Sequence, residues 1–251
     1  MTSLKGKVAI VTGGGRDIGR YTSVKLAAAG ASVCINYFDG KELATETLKM
    51  VTDAGGKGIL VQGDMTKASD VKKVVDQCRS SFGNEIHVLV NVAGGLMGRK
   101  TMEELDETFW DAVMDVNLKS VFLVTKAALP YMPENSAIVN FASQAARDGG
   151  GPGAVAYSTA KGGVLTLTRG LAKELGPKGI RVNAICPGMI NTTFHNTFTK
   201  NEVREKVAAA TPLRREGNPG EVADLVLYLA SEGSSFITGA SIDINGGTYF
   251  M

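Results

Sequence analysis

Short β-rich runs alternate with longer helical patterns along this chain, and that alternation limits its fold more than any single residue does. The strand candidates are Lys7–Val11, Ser32–Tyr37, Gly58–Gln62, Ile86–Val90, Ala137–Phe141, Ile180–Ile185 and Ser241–Ile244. The helix candidates between them are Ile18–Ala29, Glu42–Ala54, Ser69–Phe82, Thr108–Tyr131, Val155–Leu175 and Pro219–Ser231. Several strands are continuous apolar runs, as expected of parallel strands covered on both faces. The pattern predicts an α/β fold: a doubly wound, seven-stranded parallel sheet with helices on both faces. The 251 residues contain no Pro/Ser-rich linker, repeat or low-complexity segment. They read as one domain, 1–251, with Gly149–Gly153 a loop before a helix rather than a boundary.

Composition excludes several function classes. A net charge of +2 gives no large field aimed at nucleic acid or a membrane surface. No apolar run is long enough to span a bilayer, and the first residues enter a strand-like run without a signal-peptide core. Cys34, Cys78 and Cys186 are odd in number, widely spaced and set in apolar stretches. That suits reduced core thiols in a cytoplasmic protein better than bridges or metal ligands. The two histidines, His87 and His195, are too few for a zinc site, so no metal is expected. His87, at a strand entrance, reads as structural.

The first strand runs into Thr12-Gly13-Gly14-Gly15-Arg16-Asp17-Ile18-Gly19 and then a helix. Glycines there let backbone approach a pyrophosphate, and the helix N-terminus offers unpaired N–H groups and a positive dipole. The position directly after a strand gives this turn its weight. Further along, Tyr157 and Lys161 stand four residues apart and so share a helix face. An ammonium beside a phenol favours the phenolate and lowers the tyrosine pKa. A tyrosine tuned this way can exchange a proton with a carbonyl or alcohol oxygen near neutral pH.

Thr12-Gly13-(three residues)-Asp17-Ile18-Gly19, Asn91-Val92-Ala93-Gly94, Asn117, Ser143, Tyr157-x-x-x-Lys161 and Pro187-Gly188 together resemble the short-chain dehydrogenases/reductases. The resemblance spans nearly the whole chain, in order and with family-like spacing. It implies a Rossmann-type domain, a nicotinamide cofactor and the catalytic set Asn117, Ser143, Tyr157 and Lys161. In that pattern Tyr157 is the general acid of reduction. Lys161 lowers its pKa and holds the nicotinamide ribose, Ser143 binds the carbonyl oxygen, and Asn117 supports a water-linked proton path. The implied cofactor contacts are Gly13, Gly15, Arg16, Asp17, Ile18, Gly19, Tyr37, Asp64, Met65, Asn91, Ala93, Gly94, Tyr157, Lys161, Pro187, Gly188 and Ile190. Asp64 reads equally as a turn or capping aspartate.

Two positions depart from the family pattern. Asp17 replaces the middle glycine of the turn, where a carboxylate can cap the following helix but sits unfavourably close to phosphate. Val92 replaces an asparagine. The end of the second strand carries Tyr37 where an NAD-selective site has an acid, and Arg16 suits a 2′-phosphate. NADP (NADPH) is therefore favoured, with NAD (NADH) left open by Asp17 and Asp39.

On the substrate side, Gly95, Arg99, Lys100, Arg147 and His195 form a cationic mouth that suits an anionic carbonyl compound, with a substrate loop at about 188–210. Asn91–Lys100, Gly149–Ala154, Thr193–His195 and Asp243–Tyr249 look like bacterial reductases of 4-deoxy-L-erythro-5-hexoseulose uronate, an alginate-breakdown product. That resemblance implies reduction of its aldehyde to 2-keto-3-deoxy-gluconate. Reductases of β-ketoacyl thioesters or simple ketones are the alternative, and a non-catalytic nucleotide sensor a third reading. The family pairs its long helices between subunits, which implies a homodimer or homotetramer. Trp110 reads as core or interface, and Thr248–Met251 as packing into an interface or a neighbouring pocket.

Overall fold

The computed structural model describes residues 3–250. The first half alternates regularly: β1 (Val8–Thr12), α1 (Asp17–Ala28), β2 (Ser32–Tyr37), α2 (Lys41–Asp53), β3 (Lys57–Gln62), α3 (Ala68–Phe82) and β4 (Val88–Asn91). The second half runs α4 (Glu107–Met114), α5 (Ser120–Ala128), β5 (Ala137–Phe141), α6 (Ala145–Asp148), α7 (Val155–Leu175) and β6 (Arg181–Pro187). It closes with α8 (Thr193–Phe198), α9 (Asn201–Ala210), α10 (Pro219–Ala230) and β7 (Ser241–Ile244). The strands form one sheet in the order β3-β2-β1-β4-β5-β6-β7, parallel throughout. The predicted single doubly wound Rossmann-type domain is the fold.

Strand periodicity explains the two layers of core, because successive side chains point to opposite faces. Val11, Val33, Ile35, Val90 and Val139 face α1, α2 and α10, where Leu26, Val51, Val222, Val226 and Leu229 receive them. Their neighbours Ile10, Cys34, Leu89 and Ile138 face α3, α5 and α7, against Val74, Cys78, Val124, Ala128 and Leu175. Both faces are thus sealed, as parallel strands require. All three cysteines are buried and free, in keeping with core thiols. His87 accepts the Val8 N–H at 3.1 Å, a structural role at a strand entrance.

Two expectations need correction. Thr108–Tyr131 is helical throughout, as expected, but not uniformly α-helical. A π turn at Asp115–Lys119 separates α4 from α5, because the Asn117 side-chain amide donates to Val113 O at 2.9 Å and takes a carbonyl that a backbone N–H would otherwise fill. The segment 188–210 is not an open loop but carries α8 and α9. Trp110 is partly buried on α4. Met251 lies outside the described residues.

Candidate active site

Parallel strands deliver their carboxyl ends to one edge, and the order of this sheet reverses direction between β1 and β4. A crevice at such a switch point is where open α/β sheets bind ligands. The glycine turn leaves β1 there. Its backbone is tied down by Gly14 N–H donating to Asn36 O at 2.8 Å and Gly13 N–H donating to Asn36 Oδ1 at 3.3 Å. Gly19 has no alternative, since a Cβ on it would lie 2.0 Å from the Gly13 carbonyl oxygen. Gly15 lies against Ala44 and Tyr37, and Ile18 is partly buried against the core. Arg16 extends from the turn with half its side chain exposed, its Nε 4.0 Å from Asp17 Oδ2.

Asp17 does not cap α1, whose N-cap is Arg16. It adopts a left-handed backbone, φ +49°, and its carboxylate reaches across to α8. There Oδ1 accepts the Thr193 N–H at 3.0 Å and Oδ2 accepts the Thr193 hydroxyl.

The second cluster assembles from β4, the π turn, β5 and α7. Asn117 is fully buried. Its Nδ2 donates to Gly95 O at 2.8 Å and its Oδ1 accepts the Gly95 N–H at 3.0 Å. Gly95 is therefore engaged by Asn117 through its backbone. The Lys161 ammonium, 3% exposed, donates to Phe141 O at 2.8 Å. Gly94 is squeezed between these two groups: a Cβ there would lie 2.8 Å from Asn117 Oδ1 and 3.0 Å from Lys161 Nζ. Ser143 follows β5, and its Oγ accepts the Ala145 N–H at 3.2 Å. Asn117, Ser143, Tyr157 and Lys161 thus come together from three segments: the π turn, the end of β5 and α7.

The electrostatics of the Tyr157–Lys161 pair differ from the sequence expectation. Lys161 Nζ lies 5.8 Å from the Tyr157 ring centroid, held by the Phe141 carbonyl instead of the phenol. Burial raises the Tyr157 pKa, and the Ser143 hydroxyl is the group that pulls it down. Burial also brings the Lys161 ammonium down to about 8. The net effect is upward: burial outweighs Ser143 and holds the phenol above its ordinary value.

Several predicted contacts have other duties. Asn91 turns its amide inward, donating to Asn140 Oδ1 at 2.9 Å, so only its backbone faces the crevice. Met65 is buried in the core. Asp64 works as a turn residue, its Oδ1 accepting Thr66 N–H at 2.9 Å and the Thr66 hydroxyl at 2.7 Å. Burial alone would raise its pKa, but Thr66 and Lys67 outweigh burial and hold it below the ordinary carboxylate value. Tyr37 is buried at the end of β2. Ala93 N–H donates to Thr12 Oγ1 at 3.2 Å. Pro187 ends β6, Gly188 N–H donates to Ile244 O at 3.0 Å, and Ile190 is buried beside Gly217.

The cationic mouth is mostly self-neutralised. Arg147 is 8% exposed at its side chain, pairs with Asp243 at 3.3 Å and donates to Ser241 O at 2.9 Å, so it is a structural ion pair and not a free substrate cation. Lys100 pairs with Asp106 at 2.6 Å. Arg99 spans two backbone carbonyls, donating to Pro152 O at 2.9 Å and Phe198 O at 3.5 Å. His195 shares a contact with Thr199 Oγ1 at 3.0 Å, and burial holds it near pKa 4, so it is neutral at physiological pH. Sequence reading placed Phe194 in the substrate segment but gave it no role of its own; its ring centroid stands 6.1 Å from that of Tyr157. Sequence reading passed over α9, although Glu202 and Lys206 at i,i+4 and the run Ala208–Ala210 carry a helical signal.

These residues fit a dinucleotide. The first turn of α1 offers N–H groups with no partner inside the helix. An ammonium has three donors, and Lys161 gives one to Phe141, leaving others for hydroxyls. The fold and this crevice define a dinucleotide-binding α/β protein.

Comparison with known proteins narrows that class. A family model described as enoyl-(acyl carrier protein) reductase matches residues 13–249. The chain is 37% identical over 256 residues to a (3R)-3-hydroxyacyl-CoA dehydrogenase of Rattus norvegicus, covering 98% of this chain and 97% of that one. It is 36% identical to a 3-oxoacyl-[acyl-carrier-protein] reductase of Staphylococcus aureus, covering 97% and 98%. The crystal structure of an NADH-dependent reductase responsible for alginate metabolism superposes with a TM-score of 0.90 at 34% identity, covering 99% of each chain. The protein belongs to the short-chain dehydrogenase/reductase family, and is a nicotinamide-dependent oxidoreductase acting on hydroxyl and carbonyl groups.

Proposed function

We propose that this protein is an NAD(P)H-dependent carbonyl reductase, with Tyr157 as general acid, Ser143 as carbonyl-oxygen donor, and Lys161 and Asn117 as the proton-supplying and positioning pair. The observation that carries this reading is the convergence of those four side chains at the carboxyl edge of the sheet, beside the glycine turn. A bound nicotinamide supplies the hydride. Ser143 fixes the carbonyl oxygen next to the Tyr157 hydroxyl and favours the phenolate left when the proton is given up. Lys161, with a pKa brought to about 8, holds a proton at neutral pH and offers its spare donors to ribose hydroxyls. The cofactor contacts are those of the glycine turn, residues 91–94 and residues 187–190. NADPH is favoured because Tyr37 stands where an acid would bind a 2′-hydroxyl, and the exposed Arg16 can fork onto a 2′-phosphate. The alginate-metabolism reductase is NADH-dependent, which keeps NADH in the comparison.

Two substrate readings stand level. Likeness to the alginate-metabolism reductase favours the uronate aldehyde 4-deoxy-L-erythro-5-hexoseulose uronate, with residues 188–210 as the substrate segment. The hydroxyacyl and oxoacyl relatives favour a 3-oxoacyl thioester, and the ion-paired state of Lys100 and Arg147 takes support from an anionic pocket. We place the enzyme in the cytoplasm, as a homodimer or homotetramer. A panel of the uronate aldehyde, 3-oxoacyl thioesters and simple ketones, run with NADPH and NADH, tests all of this. Tyr157→Phe is expected to lower kcat by roughly 10²–10⁴ while retaining dinucleotide binding. Full turnover in that variant rejects the assignment. No NAD(P)H consumption with the uronate, beside turnover of a thioester, rejects the first substrate.

A further inference from the structure

We propose that Asp17 and Thr193 form a latch that couples closure of α8 over the active site to occupancy of the glycine turn, making Asp17 a positioning residue. The inference rests on reading that turn as the dinucleotide diphosphate site.

Asp17 is the first residue of α1, in a left-handed conformation that costs energy outside glycine. A side chain kept there at such a cost calls for a compensating contact, and the contact lies 176 residues away. Both carboxylate oxygens are engaged by Thr193, one by the backbone N–H at 3.0 Å and one by the hydroxyl. A carboxylate at this position lies in the favourable field of the α1 N-terminus. A diphosphate seeks the same field. The two anions therefore compete unless the carboxylate charge is drawn elsewhere.

With α8 seated, Thr193 draws it toward the lid. With α8 lifted, both donors leave together, and the bare carboxylate faces the turn. Closure of α8 thus strengthens dinucleotide binding, and linkage requires that dinucleotide binding strengthen closure by the same factor. The same helix carries Phe194 over Tyr157, and its far end is held by Arg99 through Phe198 O. The lid therefore closes over the reacting tyrosine when the cofactor end is filled.

The test is a double-mutant cycle of Thr193→Val and Asp17→Asn. It reads NADPH and NADH dissociation constants by fluorescence titration, and amide exchange of residues 191–199 without dinucleotide. Thr193→Val is expected to weaken binding about tenfold when Asp17 is present and less than about twofold in the Asp17→Asn background. Both single variants are expected to speed exchange in α8. Equal weakening in the two backgrounds, or unchanged exchange, overturns the latch. Failure of the wild-type chain to bind either dinucleotide overturns the cofactor reading instead, which separates the two. If Asp17→Asn does not fold, Asp17→Gly suits the φ of +49° and takes its place.

Discussion

At Gly94 a single hydrogen separates a working site from a disrupted one. The Cβ of an alanine would sit 2.8 Å from Asn117 Oδ1 and 3.0 Å from Lys161 Nζ, and neither group can yield easily, because both are buried and bonded to backbone. Gly94→Ala is expected to lower kcat/KM by about tenfold or more through displacement of the ammonium, a misplacement effect. Circular dichroism should stay at wild type. Arg147 makes the opposite point, because its role is not chemical. Removing it leaves Asp243 without its counter-charge, so Arg147→Ala is expected to cost about 3 kcal/mol in urea unfolding. KM should change little among folded molecules. A large KM effect at unchanged stability would return Arg147 to the substrate pocket.

The helix α8 decides how far the site responds to pH. His195 has an ordinary pKa of 6.5, and burial, helped by Arg204 and Arg99 and opposed by Glu216, pulls it to about 4 when the helix is seated. A lifted helix frees the ring to take a proton below 6.5. The seated state is therefore at full strength above pH 6.5 and weakens as pH falls toward 4. Exchange of α8 amides, corrected for intrinsic chemical rates, is expected to accelerate across that interval, and His195→Gln should flatten the response. The helix itself was poorly legible in the sequence, because six residues carry too little periodicity to stand out. The π turn was illegible for a different reason. The apolar pattern of 108–131 continues through it, and only the side chain of Asn117 reroutes the backbone bonding.

The molecule exposes an apolar depression between the π turn, α5 and α7, lined by Leu118, Phe122, Gly163 and Leu167, with Phe122 47% exposed. A partner copy is the occupant we propose. Phe122→Asp is expected to shift the sedimentation profile toward a smaller species while secondary structure is kept, and an unchanged profile would move the interface elsewhere. At this scale the division between sequence and structure is clear. The sequence by itself determined the succession of the seven strands along the chain, the glycine turn after β1, and the placing of Tyr157 and Lys161 on one helix face. All of these are periodicities or spacings within a few turns of chain. Tertiary structure alone decided which polar groups are spoken for. Arg147 meets Asp243 across 96 residues and Asp17 meets Thr193 across 176, while Lys161 turns to a strand carbonyl instead of the phenol. Such pairings depend on how distant elements pack, and no local pattern records that.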